Sequence, residues 1–462
     1  MFTHILTVLS LSISSKKWLV KRLIQHAYPQ SIQVLSKFRI MFFNFLFITS
    51  LRLLFGFTAV QNCESTDDVQ VFITVSSLAS TNNNKTERQV ELNWFNVSPQ
   101  NGDWVGLFQN DPKIDIKYPL ENISPLAHPL NYYRSWIQLP RFAFQTSNFK
   151  NQCIGFWIAY IRDDVILAQK CVKIQPQWMW EARDIIGNFT LSEIMIPGTH
   201  NSGSYPKGLL ENVIDQSKFY QDEDIFDQFV YGIRSFDLRI GSYPSKPDEF
   251  WVNHDKTQMQ PFRSILEDIK TVINSTKEIV ILDFHGFPVG FTNSSTHNRF
   301  ISLLIEELAQ WMVPRSLKHH VLSQLWACDK RIVVMYSHQI YYEYDLLWRG
   351  LSQKWENTMD LSELKKFLEQ FTHEPKSQMW AAMAELTPMI LSNPRKGIRY
   401  FADIANRNVT QWFRDEWWDS GNVVATDYFH GNDIIDVAIK SNKRRRKCTK
   451  SKMIINALNE LL

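Results

Sequence analysis

Ile194-Met195-Ile196-Pro197-Gly198-Thr199-His200-Asn201-Ser202-Gly203-Ser204 opens as a short apolar strand and closes as a polar turn. Pro197 and Gly198 are turn formers, and His200 stands just past the predicted strand end. Parallel α/β folds place their chemistry at that end of the strands. Taken alone, a histidine there is more often an ordinary loop residue.

Three later stretches repeat the arrangement. Gly232-Ile233-Arg234-Ser235-Phe236-Asp237-Leu238-Arg239 predicts a strand with Asp237 and Arg239 on one face. Phe250-Trp251-Val252-Asn253-His254-Asp255 predicts a third strand, ending on His254. Glu278-Ile279-Val280-Ile281-Leu282-Asp283-Phe284-His285 reads as a buried strand ending on Asp283 and His285. Four consecutive strands that each end in ionisable groups point to a site, since bland core strands rarely end so.

Taken together, the runs P-G-T-H-N-S, R-S-F-D-L-R, N-H-D and I-V-I-L-D-F resemble the X region of phosphatidylinositol-specific phospholipases C. The likeness is to the secreted or small X-domain-containing members rather than the multidomain signalling enzymes, and spans Trp178 to Asn442. It implies an α/β fold, an irregular TIM-type (β/α) barrel with its site at the strand C-termini. The alternation of strands with helical stretches, such as Phe262 to Asn274, agrees with that. The segment from Tyr342 to Trp418 is too irregular for strands to be assigned.

A phosphodiester with a neighbouring hydroxyl is cleaved by internal attack. Two histidines suit the proton transfers, and a guanidinium suits the phosphoryl oxygens. The resemblance implies His200 as general base, His254 as general acid and Asp427 as the carboxylate that orients His200. It also implies that Arg239 takes the place of a metal, with Asp237 supporting Arg239 or the acid. Asn201 and His285 are candidate substrate contacts. Calcium-dependent members carry an acid-x-acid pair where this chain has Asp237-Leu238-Arg239, and another acidic ligand near His285. A metal-free, cofactor-free site is therefore expected, since calcium needs several oxygen ligands. Two departures weigh against full carry-over: bacterial members have Asp at the position of Asn201, and many members have His-Gly where this chain has His254-Asp255.

The expected activity is that of a phosphoric diester hydrolase acting on an inositol phospholipid or related phosphodiester. The alternative is a catalytically inactive lipid- or glycan-binding protein on the same barrel. A glycerophosphodiester hydrolase would need more metal carboxylates. The expected partners are the phosphodiester substrate and a membrane surface; nothing names a protein partner. A net charge of +3 over 462 residues gives no argument for nucleic acid.

Four regions are expected: a leader and signal region over 1–62, a β-sandwich over 65–175, the X-type barrel over 178–442, and a basic tail over 443–462. Short alternating strands with regular turns predict the sandwich. Met41-Phe42-Phe43-Asn44-Phe45-Leu46-Phe47-Ile48, continuing to Ala59, reads as a signal h-region after Lys37 and Arg39. An uncleaved signal anchor is the alternative. Asn84, Asn96, Asn122, Asn188, Asn274, Asn293 and Asn408 each begin N-x-S/T, which favours a secretory route. Cys153 and Cys171 flank a predicted hairpin and can bridge in an oxidising compartment. The run Lys443-Arg444-Arg445-Arg446-Lys447 reads as a solvated end.

Overall fold

A computed structural model describes residues 68–460, apart from 79, 83–84, 207–217, 247, 374–377 and 389–396. The expected h-region lies outside the described residues. Among the described residues no helix is long and apolar enough to cross a membrane. Residues Ser65–Arg446 form one compact unit, built of an all-strand part and a mixed α/β part.

The first part is all strand: β1 (Gln70–Val75), β2 (Ser80–Asn82), β3 (Lys85–Glu87), β4 (Gln89–Phe95), β5 (Trp104–Phe108), β6 (Glu121–Ile123), β7 (Tyr132–Gln138), β8 (Gln152–Arg162) and β9 (Val165–Ile174). They form antiparallel sheets in the orders β1-β4-β7 and β6-β5-β8-β9, with β2 and β3 as a separate hairpin. One sheet contributes Val71, Val90, Leu92 and Trp94, and the other Val105, Leu107, Ile158 and Tyr160, to a shared core. Asp163 and Asp164 join β8 to β9 with φ of 49° and 60°. Two successive left-handed residues are what a two-residue hairpin turn needs, and aspartate tolerates them. Cys153 and Cys171 bridge these two strands as a disulfide, with Cα atoms 5.7 Å apart.

The second part is a curled parallel sheet. Its strands are β10 (Ile196–Thr199), β11 (Ser235–Ser242), β12 (Phe250–His254), β13 (Thr257–Pro261), β14 (Val280–Val289), β15 (Ile332–Tyr336), β16 (Trp348–Arg349), β17 (Ser352–Lys354), β18 (Trp380–Met383) and β19 (Val423–Thr426). The order is β16-β15-β14-β11-β10-β19-β18-β17, and every neighbouring pair on that path is parallel. β15 is buried along its whole length, as a parallel strand covered on both faces must be. The helix Phe262–Ser275 packs Phe262, Ile265, Leu266, Ile269, Val272 and Ile273 inward, a helical spacing. Each such burial contributes about 1.5–3 kcal/mol.

Three expectations need correction. The sheet does not close into a full barrel by hydrogen bonding: its outermost strands, β16 and β17, pair with β15 and β18 and not with each other. They are nevertheless consecutive in the chain, separated only by Gly350 and Leu351, so the seam is spanned by one bent segment. Second, β12 is not a barrel strand. It pairs antiparallel with β11 and with β13, so His254 arrives on a hairpin laid over the parallel sheet. Third, the basic run is solvated only in part. It lies within the helix Ile434–Glu460; Lys443 and Lys447 are exposed, but Arg445 is buried, donating to the carbonyls of Trp418, Glu193 and Gly421. A guanidinium whose donors all meet carbonyls satisfies buried backbone groups that no water reaches.

Candidate active site

The turn after β10 is fixed from three sides. His200 N–H donates to Thr426 O at 3.1 Å, tying β10 to β19. Asn201 has φ 45°, a left-handed conformation that asparagine adopts more readily than most residues. Its N–H donates to Asp237 Oδ2 at 3.0 Å, and Ser202 N–H donates to Asp237 O at 2.9 Å. A Cβ on Gly203 would meet Val252 Cγ1 at 2.5 Å, so the turn packs against β12 only with glycine there.

This geometry brings together most of the expected residues. His200 Nδ1 lies 2.8 Å from Asp427 Oδ1, just past the end of β19. Its other nitrogen, Nε2, lies 2.9 Å from Asn201 Nδ2 and 3.2 Å from Arg239 Nη2. Arg239 also lies 3.6 Å from Asp237 Oδ2. Donors at Nε2 and a carboxylate at Nδ1 favour the tautomer with its proton on Nδ1, leaving the Nε2 lone pair toward Arg239.

His254 is not in contact with His200. Tyr220 stands between them, its ring centroid 5.0 Å from His200 and 4.7 Å from His254, with its hydroxyl 3.0 Å from His254 Nε2. Asp255 follows in the hairpin turn with φ 48° and its side chain in solvent, 3.8 Å from His254 Nε2. His285 is half-buried on β14, with Nδ1 3.8 Å from Asp283 Oδ2. Asp283 itself is turned to the seam, accepting from Leu351 N–H at 3.2 Å and Gln353 Nε2 at 2.9 Å.

Sequence reasoning missed two side chains here. Glu385, just after β18, is fully buried with one oxygen 4.0 Å from His200 Nδ1 and, among the described residues, no hydrogen-bond partner for either oxygen. Its signal was an acid after a short apolar run in the unassigned segment. Tyr220 carried no periodicity or motif at all. Arg234 of the R-S-F-D-L-R block, by contrast, is structural. It is wholly buried, donating from Nε to Glu278 Oε2 at 2.7 Å and from its other nitrogens to the carbonyls of Phe229, Ile233 and Gln175.

The electrostatics follow from burial and neighbours. Burial pulls the His200 pKa down, but Glu385 and Asp427 outweigh it and lift the ring to about 9. Burial pushes Glu385 up to about 8, against the pull of His200 and Arg239; Asp427, in direct contact at 2.8 Å, adds a hydrogen bond to its charge in raising His200. Burial lowers His254, with Arg239 and His200 adding to it and Asp255 opposing. Burial opposes ionisation of Asp237, yet Arg239, His200 and His285 hold it below the usual carboxylate range. Asp283 is pushed up to about 8 by burial and by Asp237.

Asn201 Oδ1, Asp237 Oδ1, Arg239 Nε and both Glu385 oxygens are buried without a hydrogen-bond partner among the described residues. Such a set suits a ligand carrying both acceptors and hydroxyl donors. Among the described residues no three His, Cys, Asp or Glu side chains converge as a metal ligand set.

No protein-family model matches the chain, but individual known proteins do. It is 27% identical over 294 residues to PI-PLC X domain-containing protein 2 of Mus musculus, covering 56% of this chain and 85% of that protein. It is 26% identical over 299 residues to PI-PLC X domain-containing protein 3 of Bos taurus, covering 57% of this chain and 92% of that one. The solved phosphatidylinositol-specific phospholipase C from Listeria monocytogenes superposes with a TM-score of 0.47 at 18% identity, over 58% of this chain and 98% of that structure.

Proposed function

We propose that this relative of the PI-PLC X domain-containing proteins is a phosphoric diester hydrolase of phospholipase C type. Its substrate is a phosphodiester with a hydroxyl beside the phosphorus, an inositol phospholipid or a related head group, met at a membrane surface. His200 Nε2 takes the hydroxyl proton. The freed oxygen attacks phosphorus, a cyclic phosphodiester forms, and the bond to the leaving oxygen breaks. His254 gives that oxygen its proton. Arg239 donates to the non-bridging oxygens as charge gathers on them, while Asp427 holds the Nδ1–H tautomer of His200.

The observation that carries this reading is the His200–Asp427 contact at 2.8 Å with Arg239 on the opposite ring nitrogen. It is the arrangement of an oriented base beside a phosphate-binding cation. The test is release of water-soluble cyclic phosphate from labelled phosphatidylinositol by purified protein, with His200→Ala and His254→Ala alongside. Each variant is expected to lose ~10²-fold or more in rate. Turnover near the wild-type rate in either folded variant excludes the assignment.

One observation favours the inactive alternative. The Tyr220 hydroxyl engages His254 Nε2, where a leaving oxygen would have to approach. Absence of turnover with every inositol phospholipid offered, together with retained vesicle binding, would select it.

The proposed setting is the secretory route. Of the six described N-x-S/T sites, Asn96, Asn122, Asn188, Asn274 and Asn293 are exposed, and Asn408 alone is half-buried, donating to Ile404 O. The Cys153–Cys171 disulfide fits an oxidising compartment.

A further inference from the structure

A cavity of about 1010 Å³ opens at the seam of the curled sheet, away from His200 and lined by residues of β15, β16 and β17 and the turns beside them. Among the described residues its lining holds Arg315, Lys318 and Arg349 and no aspartate or glutamate. None of the three cations forms a salt bridge among the described residues, and Lys318 and Arg349 are exposed. Arg315 is held in place instead: Nη1 donates to Tyr341 O at 3.1 Å, and its guanidinium lies 5.5 Å and 5.8 Å from the rings of Tyr341 and Tyr342. Asp345, on the neighbouring turn, accepts from Ser316 Oγ at 3.3 Å. Trp348 forms a fixed wall, its indole N–H donating to Val313 O at 2.8 Å.

Three cations around one concavity, none in a salt bridge among the described residues, make a local positive potential that a bound anion offsets. Guanidinium forks match phosphoryl oxygens, and aromatic walls offer faces to a ring-bearing body. The volume is that of a small-molecule site rather than of a single inorganic ion.

We propose that the seam cavity binds a phosphorylated polyol, with Lys318 and Arg349 on its phosphates and Tyr341, Tyr342 and Trp348 against its body. The site is separate from the catalytic turn and does not depend on the reaction proposed there. It is not remote from it, though: Leu351 lines the cavity, and its N–H holds Asp283, which sits beside Asp237. Occupancy can thus be felt at the catalytic floor through one hydrogen bond.

Two sources share this chemistry, a soluble polyol phosphate and a phosphoinositide head group. The test titrates the full-length protein by calorimetry with inositol hexakisphosphate, and separately with phosphatidylcholine vesicles containing phosphatidylinositol 4-phosphate. The variants are Lys318→Ala/Arg349→Ala and, as a control removing the same charge elsewhere, Lys113→Ala/Lys117→Ala; all four side chains are exposed. Binding of inositol hexakisphosphate is expected to weaken about 10-fold or more in the seam variant only, as loss of charge-assisted contacts implies. Vesicle binding with the same dependence identifies a lipid head group as the source; binding of the soluble probe alone identifies a free solute. No binding of either probe by the wild type, or equal weakening in both variants, overturns the proposal.

Discussion

Asp427→Asn tests the site where its protonation is most unusual. His200 is lifted to about 9 from an ordinary 6.5. That difference favours the imidazolium by about 3 kcal/mol, at ~1.36 kcal/mol per unit. His254 is moved the other way. The productive form, His200 neutral and His254 protonated, is therefore the minority form of the free protein. At pH 7 a group with a pKa of about 9 is neutral in roughly 1 molecule in 100. When the base has the higher pKa and the acid the lower, the rising limb of kcat/KM follows the acid and the falling limb follows the base. The wild type should therefore fall off near pH 9, and that limb belongs to His200. Asp427→Asn removes the contacting carboxylate, so the His200 pKa should drop by about one unit or more, and the falling limb with it. The productive population then rises by about 10-fold. Against this stands the loss of the fixed Nδ1–H tautomer, on the scale of ~10²–10⁴ for acid–base catalysis. The net expectation is a slower enzyme with its optimum displaced to lower pH. The assay is kcat/KM against pH on labelled phosphatidylinositol, paired with an NMR titration of the His200 ring. A wild-type His200 that titrates at or below 6.5, or a falling limb that ignores the substitution, refutes the reasoning.

Arg239→Ala should abolish turnover and Arg239→Lys restore part of it, because a point charge does not copy a planar fork; wild-type activity should survive a chelator, and chelator-sensitive activity restored by calcium would place a metal where Arg239 is assigned. Tyr220→Phe removes the hydroxyl at 3.0 Å from His254. If that hydroxyl obstructs the leaving oxygen, kcat/KM rises; a fall shows instead that it supports the acid. Arg88→Met removes the guanidinium paired with buried Glu223 at 2.6 Å and leaves it His430 at 3.4 Å; the loss should cost up to about 3–5 kcal/mol in urea denaturation. Burial opposes ionisation of Asp222 and Glu223, but Arg399 and Arg88 outweigh it and hold each carboxyl at about 2. Depressed carboxylates stabilise fully above their unfolded pKa of about 4, and that contribution is lost as pH falls toward 2; stability that is flat across this window contradicts the pairing. Glycosidase treatment of protein from its native cells should lower its apparent mass, and an unchanged mass argues against the secretory setting.

What the sequence disclosed depended on how local each signal was. Val280 to Phe284 and Ile332 to Tyr336 are largely apolar runs, so the parallel sheet was legible; the turn after β10 was legible because its polar residues follow such a run at once, whereas β11 runs on past Asp237 and Arg239 to Ser242. The strands of the unassigned segment have two to four residues each. No periodicity can be read from that length, and Glu385 was lost with them. The histidine on β12 was placed at a strand end correctly, yet nothing in Phe250 to His254 says that the strand runs antiparallel; that follows from the short turn to Thr257, which leaves no room for a crossover. Charge misled where tertiary structure supplies the partners. Arg445, in a run of basic residues, is buried against three carbonyls from distant parts of the chain, and no neighbour in sequence announces them. The two arginines of R-S-F-D-L-R make the same point within six residues. Arg234, just before β11, faces Glu278 in the core and cannot reach a ligand; Arg239, past the middle of the strand, faces Asp237 and His200. A motif matched as one block thus contains one residue that holds the sheet and one that faces the site, and only burial separates their roles.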